Sequence, residues 1–229
     1  MKNNLRLMHL IVLWIGLLQL LACSTQKSDI NSMDNYFVFL NTNPDREKLD
    51  SAAVAELQKG HMANIQRLGQ EKKLIVAGPF HTGGGIFIFR APNLETVNKW
   101  LSTDPAIRAG RFRLEKYRLI TQAGQICEAD SDYTMVTYQF IHLKPVHFGL
   151  EPLEEQSYQD FLVEIDSDSL LIFAGQFEHE DHDGFLITNF NNLDAAKQRL
   201  AALSLVQTGD VTMEAKELWI AKESFCQEH

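Results

Sequence analysis

Positive charge is scarce in this chain: 21 Lys and Arg stand against 30 Asp and Glu, a formal net charge of −9 over 229 residues. Binding a phosphate backbone requires clustered cations that release counterions, and no such cluster is present, so a nucleic-acid partner is excluded. Metal motifs are equally wanting. No His-Glu-x-x-His helix and no paired Cys-x-x-Cys occurs, and no metal or other cofactor is expected. The glycine cluster Gly83-Gly84-Gly85 lacks the lysine and the following helix of a phosphate loop, and it reads as a hairpin. Cysteine is limited to three residues, Cys23, Cys127 and Cys226. The apolar stretch from Leu7 to Ala22 is short for a membrane span and is interrupted by His9, Gly16 and Gln19.

That stretch has instead the layout of a secretory leader, with Lys2 and Arg6 in front and a small residue before a cysteine. Leu20-Leu21-Ala22-Cys23 resembles the bacterial lipobox, whose cysteine is acylated and becomes the new first residue. The resemblance implies a signal peptide over 1–22 and a lipid anchor to the membrane through Cys23. Each buried methylene adds about 0.8 kcal/mol, so several acyl chains together hold a protein stably. Ser24, where an aspartate marks inner-membrane retention, implies the periplasmic face of the outer membrane of a Gram-negative bacterium. Residues 23–35 are nearly devoid of apolar side chains and read as a tether. Loss of Lys2 and Arg6 leaves nineteen basic residues against thirty acidic ones.

Comparison of the chain with itself decides the architecture. LIVAGPF at 74–80 returns 97 residues later as LIFAGQF at 171–177, and Tyr36-Phe37-Val38-Phe39 aligns at the same offset with Tyr133-Thr134-Met135-Val136. Beyond the hairpin the offset becomes 99: GIFIF at 85–89 matches GFLIT at 184–188, and Gly110, Glu115 and Leu119 match Gly209, Glu214 and Leu218. A period near one hundred residues is that of a duplicated domain. The copies are placed at 36–121 and 133–222, with a linker at 122–132 and a tail at 223–229.

Within the first copy, Tyr36–Leu40 reads as a strand, and Val54, Leu57, His61, Ile65 and Leu68 form one helical face. Leu74–Phe80 and Gly85–Phe89 read as a hairpin, Asn93 caps a second helix, and Phe112–Ile120 alternates as a closing strand. This order, βαββαβ, is the ferredoxin-like plan. Two helices on one face of a four-stranded antiparallel sheet leave the other face bare, and the second copy is its natural cover. The expected fold is α+β: two ferredoxin-like repeats packed as a pseudo-dimeric α/β barrel, their sheets facing each other through residues such as Phe37, Phe39, Phe87 and Phe89 or their neighbours. Such a chain is expected to be a monomer with a pseudo-twofold axis, or a weak oligomer.

His61 on a helix, LIVAGPF, the glycine hairpin and Asp104-Pro105 together make residues 36–120 resemble the YCII-related family. The resemblance implies the dimeric α/β barrel fold and a catalytic pair formed by His61 and Asp104. Gly78, Pro79, Phe80 and His81 are further candidates for a pocket wall. In the second copy His61 becomes Tyr158, Asp104 becomes Leu203, Pro105 becomes Ser204 and Pro79 becomes Gln176. The second copy keeps the residues that build the fold and lacks the pair.

Both site residues have structural readings as well. A histidine on an apolar helical stripe is often a core residue satisfied by one hydrogen bond, and Asp before Pro suits a helix N-cap. Gly60 beside His61 weakens a helix by about 1 kcal/mol, which points to something packed closely against that turn. An imidazole held by a carboxylate has its tautomer fixed and suits proton abstraction near neutral pH. The hairpin Glu178-His179-Glu180-Asp181-His182-Asp183 is acidic enough to attract a divalent metal, but reads as a solvated loop. His142 and His147, flanking Lys144-Pro145, are placed in a loop with no assigned role.

Cys127 and Cys226 occupy equivalent positions 99 residues apart, and two free thiols are not expected to persist in an oxidising compartment, so a disulfide is expected between them. The function that emerges is a membrane-anchored periplasmic lipoprotein. Its His-Asp pair would move a proton, without a cofactor, on a small enol, phenol or quinol-like molecule. The alternative is a lipoprotein that binds a small ligand without turnover or serves as an envelope scaffold.

Overall fold

The computed structural model describes residues 32–129, 132–146, 155–166, 170–178 and 183–226. Cys23, His147 and residues 179–182 of the acidic hairpin lie outside them. From Met33 onward the chain forms one unit. Its elements are β1 (Asp34–Thr42), α1 (Ser51–Gln70), β2 (Leu74–Pro79), β3 (Gly85–Ala91), α2 (Leu94–Leu101), α3 (Pro105–Arg108), β4 (Phe112–Ala123) and β5 (Gln125–Ile126). The second copy continues with β6 (Met135–Pro145), α4 (Glu155–Asp166), β7 (Leu171–Phe177), β8 (Gly184–Thr188), α5 (Leu193–Leu200), α6 (Ser204–Gln207), β9 (Val211–Ala221) and β10 (Phe225–Cys226). Asn93 and Asn192, equivalent in the two copies, each cap a helix by accepting the backbone N–H three residues on.

The eight long strands form one antiparallel sheet in the order β2-β3-β1-β4-β7-β8-β6-β9. Each half has the ferredoxin-like order, so the fold is α+β with two βαββαβ repeats, a pseudo-dimeric α/β barrel. The halves share edges as well as faces. β4 outruns β1, whose pairing with it ends at Asn35 and Leu119, and its remaining residues pair with β7, Leu119 opposite Phe177. The equivalent contact, Phe80 opposite Leu218, brings β9 back to the end of β2. Closure at both seams removes the unpaired edges that two separate sheets would expose.

Glycine in the repeated phrase belongs to these seams. A Cβ on Gly78 would lie 2.9 Å from the Trp219 carbonyl oxygen and 3.0 Å from Leu218 Cδ1; one on Gly175 would lie 2.7 Å from Leu119 Cδ1. LIVAGPF and LIFAGQF therefore recur because each copy must admit the closing strand of the other. Gly78→Ala is expected to cost about 1–3 kcal/mol, toward the upper end because a backbone carbonyl cannot swing away as a side chain can. At about 2–4 °C per kcal/mol the melting temperature falls measurably in calorimetry; an unchanged melting temperature would remove the seam argument.

Strand register confirms the two later offsets and corrects the first. β2 and β7 carry the same irregularity, at Leu74/Val76 and at Leu171/Phe173. In the first strands, however, Leu40 pairs with Gly85 and Leu143 with Gly184, so equivalent residues are 103 apart rather than 97. YFVFL at 36–40 corresponds to QFIHL at 139–143. A six-residue slip leaves every side chain on its original face, which is why apolar alternation did not expose it.

Inside the barrel Phe37 and Phe39 meet Phe140, Phe177 and Phe185, with Phe37 ring centroids 4.8 Å from Phe185 and 5.0 Å from Phe177. Such pairs add about 0.5–1.5 kcal/mol each beyond area burial. Phe87 and Phe89 do not join them. Ile86 and Ile88 face inward opposite Phe39 and Phe37, and the two phenylalanines between them pack under the helices with Val38, Leu68, Val97 and Leu101. Part of what reads as linker and tail also forms structure: β5 pairs with β10, Phe225 opposite Ile126, and Cys127 is disulfide-bonded to Cys226 with Cα atoms 6.2 Å apart.

Candidate functional site

Asp50 caps α1, its side chain accepting the Ala53 N–H, and the helix runs for 20 residues from Ser51. Its buried face is His61, Asn64 and Leu68, three and four residues apart, while Val54 is exposed. Gly60 explains how a second helix approaches so closely: a Cβ there would stand 2.7 Å from Pro105 Cγ. α3 is thereby pressed against the middle of α1 with its N-terminus toward His61.

Asp104 caps α3, and Pro105 occupies the first helical position. Its Oδ1 accepts the backbone N–H groups of Ala106 at 2.9 Å and Ile107 at 3.1 Å. Its Oδ2 accepts His61 Nδ1–H at 2.7 Å and Asn64 Nδ2–H at 3.3 Å. Asp104 is fully buried and His61 is 8 % exposed. Capping and imidazole binding thus use opposite oxygens of one carboxylate. Burial works against the Asp104 charge, but the hydrogen bond and charge of His61 and the two backbone N–H groups outweigh it and hold the carboxyl below its usual range.

Asn64 extends the network outward. Its Oδ1 accepts Arg67 Nη2–H and Thr103 Oγ1–H, both at 2.8 Å, and Arg67 also reaches Glu71 Oε1 at 2.9 Å. The His61 ring lies against Phe87 and Phe112, centroids 6.0 and 5.6 Å away. With Nδ1 committed to Asp104, Nε2 has no partner among the described residues and is not one of the buried unpaired atoms, so it is the nitrogen left to exchange a proton with an outside molecule. Asn64, Arg67 and Thr103 were not evident in the sequence, where a polar residue beside a helical stripe looks the same as a solvated one.

The second copy fills the same place with hydrocarbon. Phe161 stands for Asn64 and Leu203 for Asp104; they are 1 % and 0 % exposed and belong to one apolar cluster. Leu203 precedes α6 without a side-chain cap bond, and Glu164, in the place of Arg67, accepts the Ser204 N–H instead. Tyr158 lies in α4, its side chain outside the described residues.

The other sequence candidates fall elsewhere. Gly78 and Pro79 end β2 at the seam, Phe80 is buried in the barrel core, and His81 is an exposed residue that meets Glu217 of β9 at 3.1 Å. None of them joins His61, whose ring packs on the helix side of the sheet. Among the described residues no group of three or more His, Cys, Asp and Glu is arranged to hold a metal.

Residues 35–120 match the family described as the YCII-related domain. No curated protein matches the chain. Among solved structures, a monooxygenase-type protein of Lactobacillus acidophilus NCFM is 9 % identical with a TM-score of 0.46, covering 86 % of this chain and 100 % of its own. The siroheme decarboxylase NirDL is 10 % identical, TM-score 0.49, over 87 % of this chain and 74 % of its own. An anthrone oxidase-like protein is 7 % identical, TM-score 0.49, over 86 % and 95 %.

Proposed function

We propose that the YCII-related domain at residues 35–120 is a cofactor-free acid/base centre in which His61 is the general base and Asp104 its positioning residue. The observation that carries this reading is the 2.7 Å contact between His61 Nδ1 and a fully buried Asp104, which fixes the tautomer and leaves Nε2 free. Nε2 takes a proton from an acidic C–H or O–H of a small enol, phenol or quinol-like molecule. The imidazolium so formed is stabilised by a carboxylate that cannot rotate away, because its other oxygen is held by two backbone N–H groups. Return of the proton to a different carbon of the same molecule gives an isomerase type of reaction; a lyase type results where the electron pair left by deprotonation forms a double bond as the bond to a β leaving group breaks, and the imidazolium gives its proton to that group. The contrast with Phe161 and Leu203 supports chemistry in one copy only. The test is hydrogen exchange: the protein is incubated in deuterated water with a panel of enolisable ketones, phenols and quinols, and label uptake at carbon is followed by mass spectrometry. Catalysed uptake on a subset is expected; background uptake on all would favour the ligand-binding or scaffold reading.

The same proposal places the domain on the periplasmic face of the outer membrane, tethered by acylated Cys23. Cys23→Ser is expected to move the protein wholly into the soluble periplasmic fraction and to end incorporation of labelled fatty acid. A variant that still sediments with membranes, with a wild type that takes up no label, would refute the anchor.

A further inference from the structure

His142 was read from the sequence as a loop residue. It is instead an inward-facing residue of β6, 8 % exposed, at the position where the first copy has Phe39. The pseudo-twofold axis sets these two against each other at one end of the barrel, ring centroids 5.1 Å apart. Replacing a core phenylalanine by histidine is costly unless the imidazole is used, since a buried unpaired polar group costs about 1–3 kcal/mol. Its Nε2 lies 2.8 Å from Asp183 Oδ1, an ion-pair distance, yet the angle is outside hydrogen-bond geometry and both atoms are buried without a hydrogen-bond partner among the described residues. Nδ1 has no partner among the described residues, and the ring lines a cleft of about 330 Å³. That volume is at the lower end for small-molecule pockets and suits a single ring.

Charge in this cleft is mostly spoken for. Glu115 accepts Asn41 at 2.6 Å and Tyr117 at 3.2 Å, Glu214 pairs with Lys216 at 2.9 Å, and Arg113 pairs with Asp45. Lys144, which replaces Asn41 in the second copy, makes no hydrogen bond or ion pair with a described side chain, although after Lys216 its charge and that of His142 help to hold the Glu214 carboxyl below its usual range. The cleft therefore offers a lysine at its rim with no ion pair among the described residues, a buried imidazole with no hydrogen bond among them, and the ring of Phe39 beside them.

We propose that this barrel mouth is a second small-molecule site, separate from His61, which binds a small planar acid with its acidic oxygen on His142 and Lys144 and its ring against Phe39. Neither residue is part of the His61 network, so the site stands or falls independently of the acid/base proposal. The test is an NMR titration of the full chain with benzoate and 4-hydroxybenzoate. Saturable binding with shifts of the His142 ring signals is expected, the same in wild type and His61→Gln. Two variants restore the residues of the first copy: His142→Phe is expected to abolish binding and Lys144→Asn to weaken it about tenfold, a difference of about 1.4 kcal/mol. Should His142→Phe not fold, the rim variant Lys144→Asn decides. Wild-type affinity weaker than about 10 mM for both probes, or affinity unchanged in Lys144→Asn, overturns the proposal.

Discussion

Asp104→Ala is expected to destabilise the protein by about 3–5 kcal/mol, because it removes a helix cap and at once strands the donors of His61 and Asn64 in a buried place. Asp104→Asn keeps the capping oxygen and should cost less, yet its amide can face His61 Nδ1 with a donor and so reverse the tautomer. Comparison of the two in urea separates the cap from the imidazole. The acid dependence follows from the lowered Asp104 carboxyl. Because the unfolded chain binds this proton more readily, the contribution of Asp104 is complete above an ordinary carboxylate pKa of about 4 and is lost as pH falls below it. The stability gap between wild type and Asp104→Asn should therefore narrow on acidification below about pH 4. A gap that widened there would contradict the charged state assigned to Asp104.

The disulfide carries an effect of similar size. Cys127 and Cys226 are 99 residues apart, and closing a loop of that length restricts the unfolded chain by about 4–5 kcal/mol in the chain-entropy model. The β5–β10 pairing and the contact of Phe225 with Phe173, centroids 4.8 Å apart, do not run through the sulfur atoms and are expected to remain on reduction. The double variant Cys127→Ser, Cys226→Ser should thus keep its fold while its melting temperature falls by about 8–20 °C. Peptide mapping without reductant checks the premise: the two cysteine peptides are expected as one linked species, and their recovery as free thiols would remove the bond and its stabilisation together.

Most of the architecture was legible because it is written twice. A repeated AGPF/AGQF phrase, paired asparagine caps and an offset of 97 residues before the hairpin and 99 after it define two βαββαβ units without any long-range information. What the repeat concealed was register in the first strand, where a slip of six residues preserves the apolar alternation, and with it the place of His142, which the 97-residue offset sets against Asp45 in a turn instead of Phe39. Whether Phe87 and Phe89 or their neighbours face inward was not legible for a related reason: β3 is buried on both sides, so alternation has no polar phase to mark its orientation. The linker and tail read as loose because strands of two residues leave no periodic signal. At the site, His61 and Asp104 were legible through the family resemblance, and Gly60 through its cost to a helix. Asn64 and Arg67 were not, since the partners that tie them to the site, Thr103 and Asp104, come from a loop some forty residues away and nothing local distinguishes them from solvated positions.

The central claim is that the first copy moves a proton through His61. Its most direct test is the rate of deuterium uptake by the best probe under wild-type and His61→Gln protein at equal concentration, with the melting temperature of both recorded. A base acting in the rate-limiting step contributes about 10²–10⁴-fold, so the variant should lose at least a hundredfold in rate while remaining folded. Equal rates from a folded variant would show His61 to be a core residue and the pair with Asp104 to be structural.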